Sequence, residues 1–171
     1  MGLTKGPVYV GPDDAHKTLV AGTDGTLYQK GVEITSIAAE LNLTDNMPAN
    51  VTFAAAAGAA NVCDVTITVK DAAGATIAGV FNLDVWLSDA ATGVGLTGTT
   101  TSGTVQAKAA SGADIGTYTA KKALRVQTLA TGIYILEITD TAKTAFYVAA
   151  SLPSTGATKV STQLAAGNYG A

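Results

Sequence analysis

Between Phe81 and Leu87 every odd position (Phe81, Leu83, Val85, Leu87) is large and apolar, and Asn82, Asp84 and Trp86 stand between them. A period of two in aromatic and branched residues predicts a strand with one face in a core. Trp86 is the exception, because it shares a face with Asn82 and Asp84. The single Trp of the chain on a polar face implies a second burial, under a loop, a second sheet or another subunit. The same pattern recurs on both sides. In Val62–Lys70, Cys63, Val65, Ile67 and Val69 point one way and Thr66, Thr68 and Lys70 the other, and 71–74 is a turn ending in Gly. Leu124–Thr128 is a strand, 130–132 a turn, and Ile133–Thr139, apolar at both parities, reads as a central strand buried on both faces. Phe146–Val148 begins the next strand, and Lys159–Gln163 supplies one more after the turn at 153–156. Six or seven short strands between Gly and Asp turns predict an all-β sandwich.

Other stretches carry a weaker signal. Residues 90–122 lack an inward face except near Val94, Leu96 and Val105, so they form short strands of low hydrophobicity or an exposed excursion that meets a neighbour. The tail 165–171 frays unless Tyr169 docks on a neighbour. At the other end, breaker clusters at Gly6-Pro7, 11–14 and 22–26 separate the short apolar pieces Val8–Val10, Leu19-Val20 and Leu27-Tyr28. None can close a core alone, so they read as an extended arm that threads along a partner or adds edge strands. Over 33–46 the period changes: Ile34, Ile37, Ala38 and Leu41 fall at i, i+3, i+4 and i+7, one stripe of a two-turn helix that needs something to pack on. Residues 47–61, mostly Ala after Phe53, are a packed connector or a first short strand. The expected organisation is an arm with one short helix (1–50), a linker (51–61) and a sandwich (62–171).

Composition narrows the function. Only 13% of residues are charged, against roughly a quarter in an average domain, which fits a protein that works inside an assembly. The net charge of −3 provides no basic stripe for nucleic acid. It all lies in residues 1–50, where Lys5, Lys17 and Lys30 face Asp13, Asp14, Asp24, Glu33, Glu40 and Asp45. Cys63 is the only cysteine, which excludes an intramolecular disulfide and a Cys-based zinc site; its parity makes it a small core residue. Neither a signal peptide nor a membrane span is expected, since the longest apolar run, Phe53–Ala60, is mostly Ala. The expected place of folding is a cytoplasm.

Candidate chemistry is sparse. His16, the only histidine, sits in the arm, where no preorganised triad forms. Asp71, Asp89 and Asp140 fall at turns without the alternating ligands of an EF-hand, so turn capping is the expectation for them. The reading is therefore no enzyme, no cofactor and no metal. What remains is surface.

Two runs resemble known proteins. The run 31–42, containing Ala38-Ala39-Glu40-Leu41-Asn42, resembles a short motif of bacteriophage tail-fibre and head-fibre proteins; Ile37 stands where the motif has Thr, so a capping box is lost. The run 64–89, which ends Val85-Trp86-Leu87-Ser88-Asp89, resembles immunoglobulin-like modules of phage virion proteins. That likeness continues through 123–128 and 145–149, although the Cys–Trp–Cys pattern of antibody domains is absent. Together they imply a decoration or head-fibre protein of a tailed bacteriophage with an immunoglobulin-like β-sandwich. Such a protein is a homotrimer that binds the major capsid protein on the outer surface of the virion, after folding in the host cytoplasm, with neither nucleic acid nor membrane as partner. Candidate protein contacts are Tyr9, Leu27, Tyr28, Ile34, Ile37 and Leu41 in the arm, and Trp86. The alternative is a host-surface receptor-binding or glycan-binding module, which requires a concave, aromatic-lined patch.

Overall fold

The computed structural model describes residues 19–21, 27–29, 32–33, 47–152, 155–156 and 158–171. The chain divides into two compact units, Met1–Leu43 and Thr44–Ala171. In the first, β1 (Leu19–Ala21), β2 (Leu27–Gln29) and β3 (Val32–Glu33) form an antiparallel meander in the order β1-β2-β3. Leu19 lies opposite Gln29, and Tyr28 opposite Glu33. The apolar pieces at 19–20 and 27–28 are thus paired strands, which gives their backbone groups partners. The helix expected over 33–46 begins at a residue, Glu33, that belongs to β3; the rest of it lies outside the described residues.

The second unit is all-β. Its strands are β4 (Asn50–Ala57), β5 (Val62–Lys70), β6 (Asn82–Ser88), β7 (Val105–Ala107), β8 (Ala113–Thr119), β9 (Ala123–Gln127), β10 (Ile133–Thr139), β11 (Tyr147–Ser151) and β12 (Thr158–Val160), followed by one 3-10 turn, Ala166–Asn168. They form two antiparallel sheets, ordered β4-β5-β10-β7 and β12-β11-β6-β9-β8, the arrangement of a β-sandwich. The core draws on both sheets: Cys63, Val65, Ile67 and Val69 of β5 and Tyr134, Leu136 and Ile138 of β10 belong to one buried cluster with Leu83, Val85 and Leu87 of β6, Val126 of β9 and Val148 of β11. Each such side chain removed from water contributes about 1.5–3 kcal/mol, so the alternation at 63–69 and 83–87 is enough to fix both register and facing.

Four expectations are revised or resolved. Phe81 ends up just outside β6 and only partly buried, packed against the core from a loop. Ile133–Thr139 is central in its sheet but buried on one face only: Tyr134, Leu136 and Ile138 point inward, while Ile133 and Ile135 are partly exposed beside Thr68 and Thr66. Branched residues there satisfy strand geometry on a half-covered face, which period alone does not distinguish from full burial. The Ala-rich stretch is a strand, because β4 pairs with β5 without a break from Asn50↔Lys70 to Ala57↔Cys63, and ladder hydrogen bonds override the helix preference of Ala.

The tail, finally, docks on its own sandwich. Tyr169 is buried and its Oη donates to the Thr144 carbonyl at 3.0 Å. Gly170 N donates to Val62 O at 2.9 Å, and its own oxygen accepts from Asn61 N at 3.1 Å and Lys143 Nζ at 2.8 Å. A Cβ on Gly170 would lie 2.0 Å from Ala59 O, so only glycine permits this approach.

Candidate functional site

Trp86 projects from the outer face of β6, flanked in register by Ala149 of β11 and Ala123 of β9. Two methyl-sized neighbours leave room for the indole to lie along the sheet. Its Nε1 donates to the carbonyl of Gly93 at 2.8 Å, so a loop covers part of the ring. Gly93 has φ +72°, and a Cβ there would meet Val160 Cγ2 at 2.7 Å and Ala149 Cβ at 3.1 Å. The tight approach of this loop to the sheet therefore depends on glycine.

The 90–104 segment is fixed by polar contacts and not by apolar burial. Asp89 accepts from Thr97 Oγ1 at 2.6 Å and Gly98 N at 2.8 Å, which holds its carboxyl below the usual carboxylate range. Lys122 Nζ donates to the carbonyls of Thr97 (2.8 Å) and Gly98 (3.2 Å), and Lys121 Nζ to those of Thr101 and Ser102. Thr97 N returns to the sheet at Leu87 O, 2.8 Å. With these bonds made, Val94 and Leu96 do not point inward as the sequence implied; they are 76% and 45% exposed, and of the three apolar positions only Val105 is buried.

This loop and β8 raise the rim of an open hollow of about 360 Å³ around Trp86, lined by Asp84, Leu96, Tyr118, Thr119 and Ala123. Tyr118 Oη donates to Asp84 Oδ1 at 2.8 Å, and Arg125 Nε lies 3.5 Å from the same oxygen. The hydrogen bond to Asp84, then burial and the Asp84 charge, push the Tyr118 phenol above its usual range. Asp84 thus accepts one hydrogen bond, from Tyr118, and stands in ion-pair range of Arg125 on a largely apolar surface.

The carboxylates at turns are engaged by their own backbone. Asp71 Oδ1 accepts from Ala75 N at 2.7 Å, and Asp140 accepts from Ser102 N at 3.1 Å and Thr144 N at 2.8 Å. Among the described residues no three His, Cys, Asp or Glu converge on one point. Cys63 is fully buried, and burial, with the nearby Asp64 charge, pushes its thiol up to about 11. It is a protonated core residue. On the outer face of the other sheet, Lys108 Nζ pairs with Asp64 Oδ2 at 2.5 Å.

Of the sequence-selected contacts, Trp86 sits in this hollow, Leu27 and Tyr28 belong to β2 of the separate N-terminal unit, and Tyr9, Ile34, Ile37 and Leu41 lie outside the described residues. Tyr118 was not singled out from sequence and Leu96 was read as an inward position and not as a contact, because both stand in the Gly/Thr-rich stretch that lacks periodicity. The one usable signal was the placement of Trp86 on the Asp84 face. Among the described residues, no helix is long and apolar enough to cross a membrane. The chain matches no protein-family model and no curated protein.

Proposed function

We propose that this chain is a structural virion protein of a tailed bacteriophage that binds the outer surface of the capsid through the major capsid protein, decorating or cementing it as a homotrimer. It acts by binding and not by catalysis. The observation that carries the reading is the sequence of two units: a small N-terminal β-meander unit that includes the phage-like run 31–42, then a sandwich.

The sandwich is of immunoglobulin-like type. Its first sheet, β4-β5-β10-β7, corresponds to strand order A-B-E-D, and its second, β12-β11-β6-β9, to G-F-C-C′. The departure from that type is that β7 precedes the β8–β9 hairpin in the chain. In the proposed assembly the N-terminal unit attaches to the shell or twines with its trimer mates, and the sandwich is presented outward. Three weak contacts joined in one trimer become one strong contact through valency.

Light scattering tests the oligomer: the expected mass is three times 17.0 kDa, and a stable monomer overturns the trimer. Deleting residues 1–43 is expected to leave the sandwich folded and to abolish capsid binding; retained binding moves the contact to the sandwich.

One observation favours a second reading, a receptor-binding or glycan-binding module at the host surface. The hollow at Trp86 and Tyr118 is concave and aromatic-lined, with the Asp84 carboxylate at its wall. Specific retention of the protein by host cells or host glycans, lost in Trp86→Ala, selects this reading over decoration.

A further inference from the structure

The two sheets of the sandwich have four edges, β4 and β7 in one, β12 and β8 in the other. Three of them are blunted. β7 and β12 are three residues each, with Lys108 directly after β7 and Lys159 inside β12. β8 carries register shifts between Asp114 and Gly116 and between Thr117 and Thr119. Short length, lysine and bulges all keep an edge from pairing with another chain. β4 has none of these. It runs eight residues, Asn50–Ala57, with no charge and no proline, and its register against β5 never shifts.

Two main-chain bonds fix which way the backbone groups of β4 point. Val69 N donates to Gly132 O at 2.9 Å, toward β10, and Gly58 N donates to Val62 O at 2.9 Å, toward β5. By antiparallel alternation, residues 52, 54 and 56 bond β5, while the backbone groups of 51, 53, 55 and 57 point away from it. Val51 N is taken up by Asn50 Oδ1 at 2.8 Å. The N–H and C=O groups of Phe53, Ala55 and Ala57 have no hydrogen-bond partner among the described residues. The space beside them is open: 50–53 borders a cleft of about 330 Å³ whose far wall is 159–162, and Ala54–Ala57 is exposed throughout.

Unpaired groups at strand spacing call for an extended backbone. A foreign strand is selected at such an edge by pockets for its alternate side chains, and Ala54–Ala57 presents only methyl groups. The strand is, however, its own complement. Turned two-fold about Ala55, the three outward residues of one copy meet the same three of another, with Phe53 beside Ala57 and no charge opposed to a like charge. About six main-chain hydrogen bonds result.

We propose that the outer edge of β4 is a self-association site that takes β4 of a second copy, antiparallel about a two-fold axis at Ala55, and so joins the two β4-β5-β10-β7 sheets into one. The contact does not rest on the capsid reading, since a two-fold contact pairs single copies or links neighbouring trimers.

Full-length protein is followed by sedimentation equilibrium and by amide exchange as its concentration rises. The expected result is an increase in mass together with slower exchange at Phe53, Ala55 and Ala57, while Thr52, Ala54 and Ala56 are protected throughout. Ala55→Pro removes an outward N–H and leaves the β5 ladder whole. It should weaken association about tenfold or more, because two of the hydrogen bonds are lost. Ala55→Lys, which adds the missing edge charge, should do the same, and it carries the test if the proline variant fails to fold. Unchanged melting of dilute Ala55→Lys shows that the sandwich is intact. Free exchange at 53, 55 and 57 at every concentration overturns the proposal, as does an assembly mass that Ala55→Lys leaves unchanged.

Discussion

Gly93→Ala probes the contact between the 90–104 loop and the sheet. At φ +72° an L-residue costs about 1–2 kcal/mol. The added methyl also meets Val160 Cγ2 at 2.7 Å and Ala149 Cβ at 3.1 Å, and overpacking of this kind costs about 1–3 kcal/mol. If the loop moves out to relieve the clash, the hydrogen bond from Trp86 Nε1 to Gly93 O is lost, at a further cost of about 1 kcal/mol. Relief of the clash and retention of the bond exclude each other, so the cheaper route sets the total, roughly 2–3 kcal/mol.

Gly95→Ala is the internal control, because Gly95 has φ +77° but nothing within 4 Å of its Cβ. It should show the backbone cost alone, about 1–2 kcal/mol. Urea denaturation followed by Trp86 emission measures both. Gly93→Ala should also shift native emission to the red as the indole loses its cover, while Gly95→Ala should not. Equal destabilisation by the two variants, with native emission unchanged, refutes the account of a loop seated on Trp86 through glycine.

Further outcomes follow from the same contacts. Gly170→Ala puts a methyl 2.0 Å from Ala59 O and should release the C-terminal clasp, costing about 2–4 kcal/mol and opening Tyr169 to solvent, read as faster amide exchange at Asn61 and Val62. Burial raises the carboxyl of Asp140, but hydrogen bonds from Thr144 and Ser102 outweigh it and hold the group at about 2, below its ordinary 3.8. A lowered folded value means that the stabilisation is complete above about pH 4 and is lost as pH falls toward 2. Its full size is about 2 kcal/mol, and Asp140→Asn should flatten the acid limb of the stability curve by that amount. The buried Cys63 thiol should resist a thiol reagent under native conditions and react only at the rate of unfolding; rapid native labelling contradicts its place in the core.

The strands that were legible in the sequence are those whose two faces differ. Val62–Lys70 and Asn82–Ser88 alternate because one side meets the core, and their facing follows from parity. Where the two faces are alike, parity carries no information. Ala54–Ala57 is exposed at every position, so nothing in its pattern marks a strand, and only pairing with β5 makes it one. Ile133 and Ile135 are branched on a half-covered face and read as deeply buried.

Residues 90–104 were opaque for another reason. Their order comes from Asp89, Thr97, Lys121 and Lys122 bonding across gaps of up to 25 residues, and such contacts leave no period. The candidate site inherits both limits. Trp86 announced itself by standing on the wrong face, whereas Leu96 and Tyr118 come from segments with no pattern to read.

The proposed capsid binding is tested most directly by adding purified full-length protein to undecorated capsids of the phage proposed to encode it and imaging the particles. The account predicts saturable binding, with new density at threefold or quasi-threefold positions of the shell. Particles that stay bare while the folded protein remains in solution contradict it.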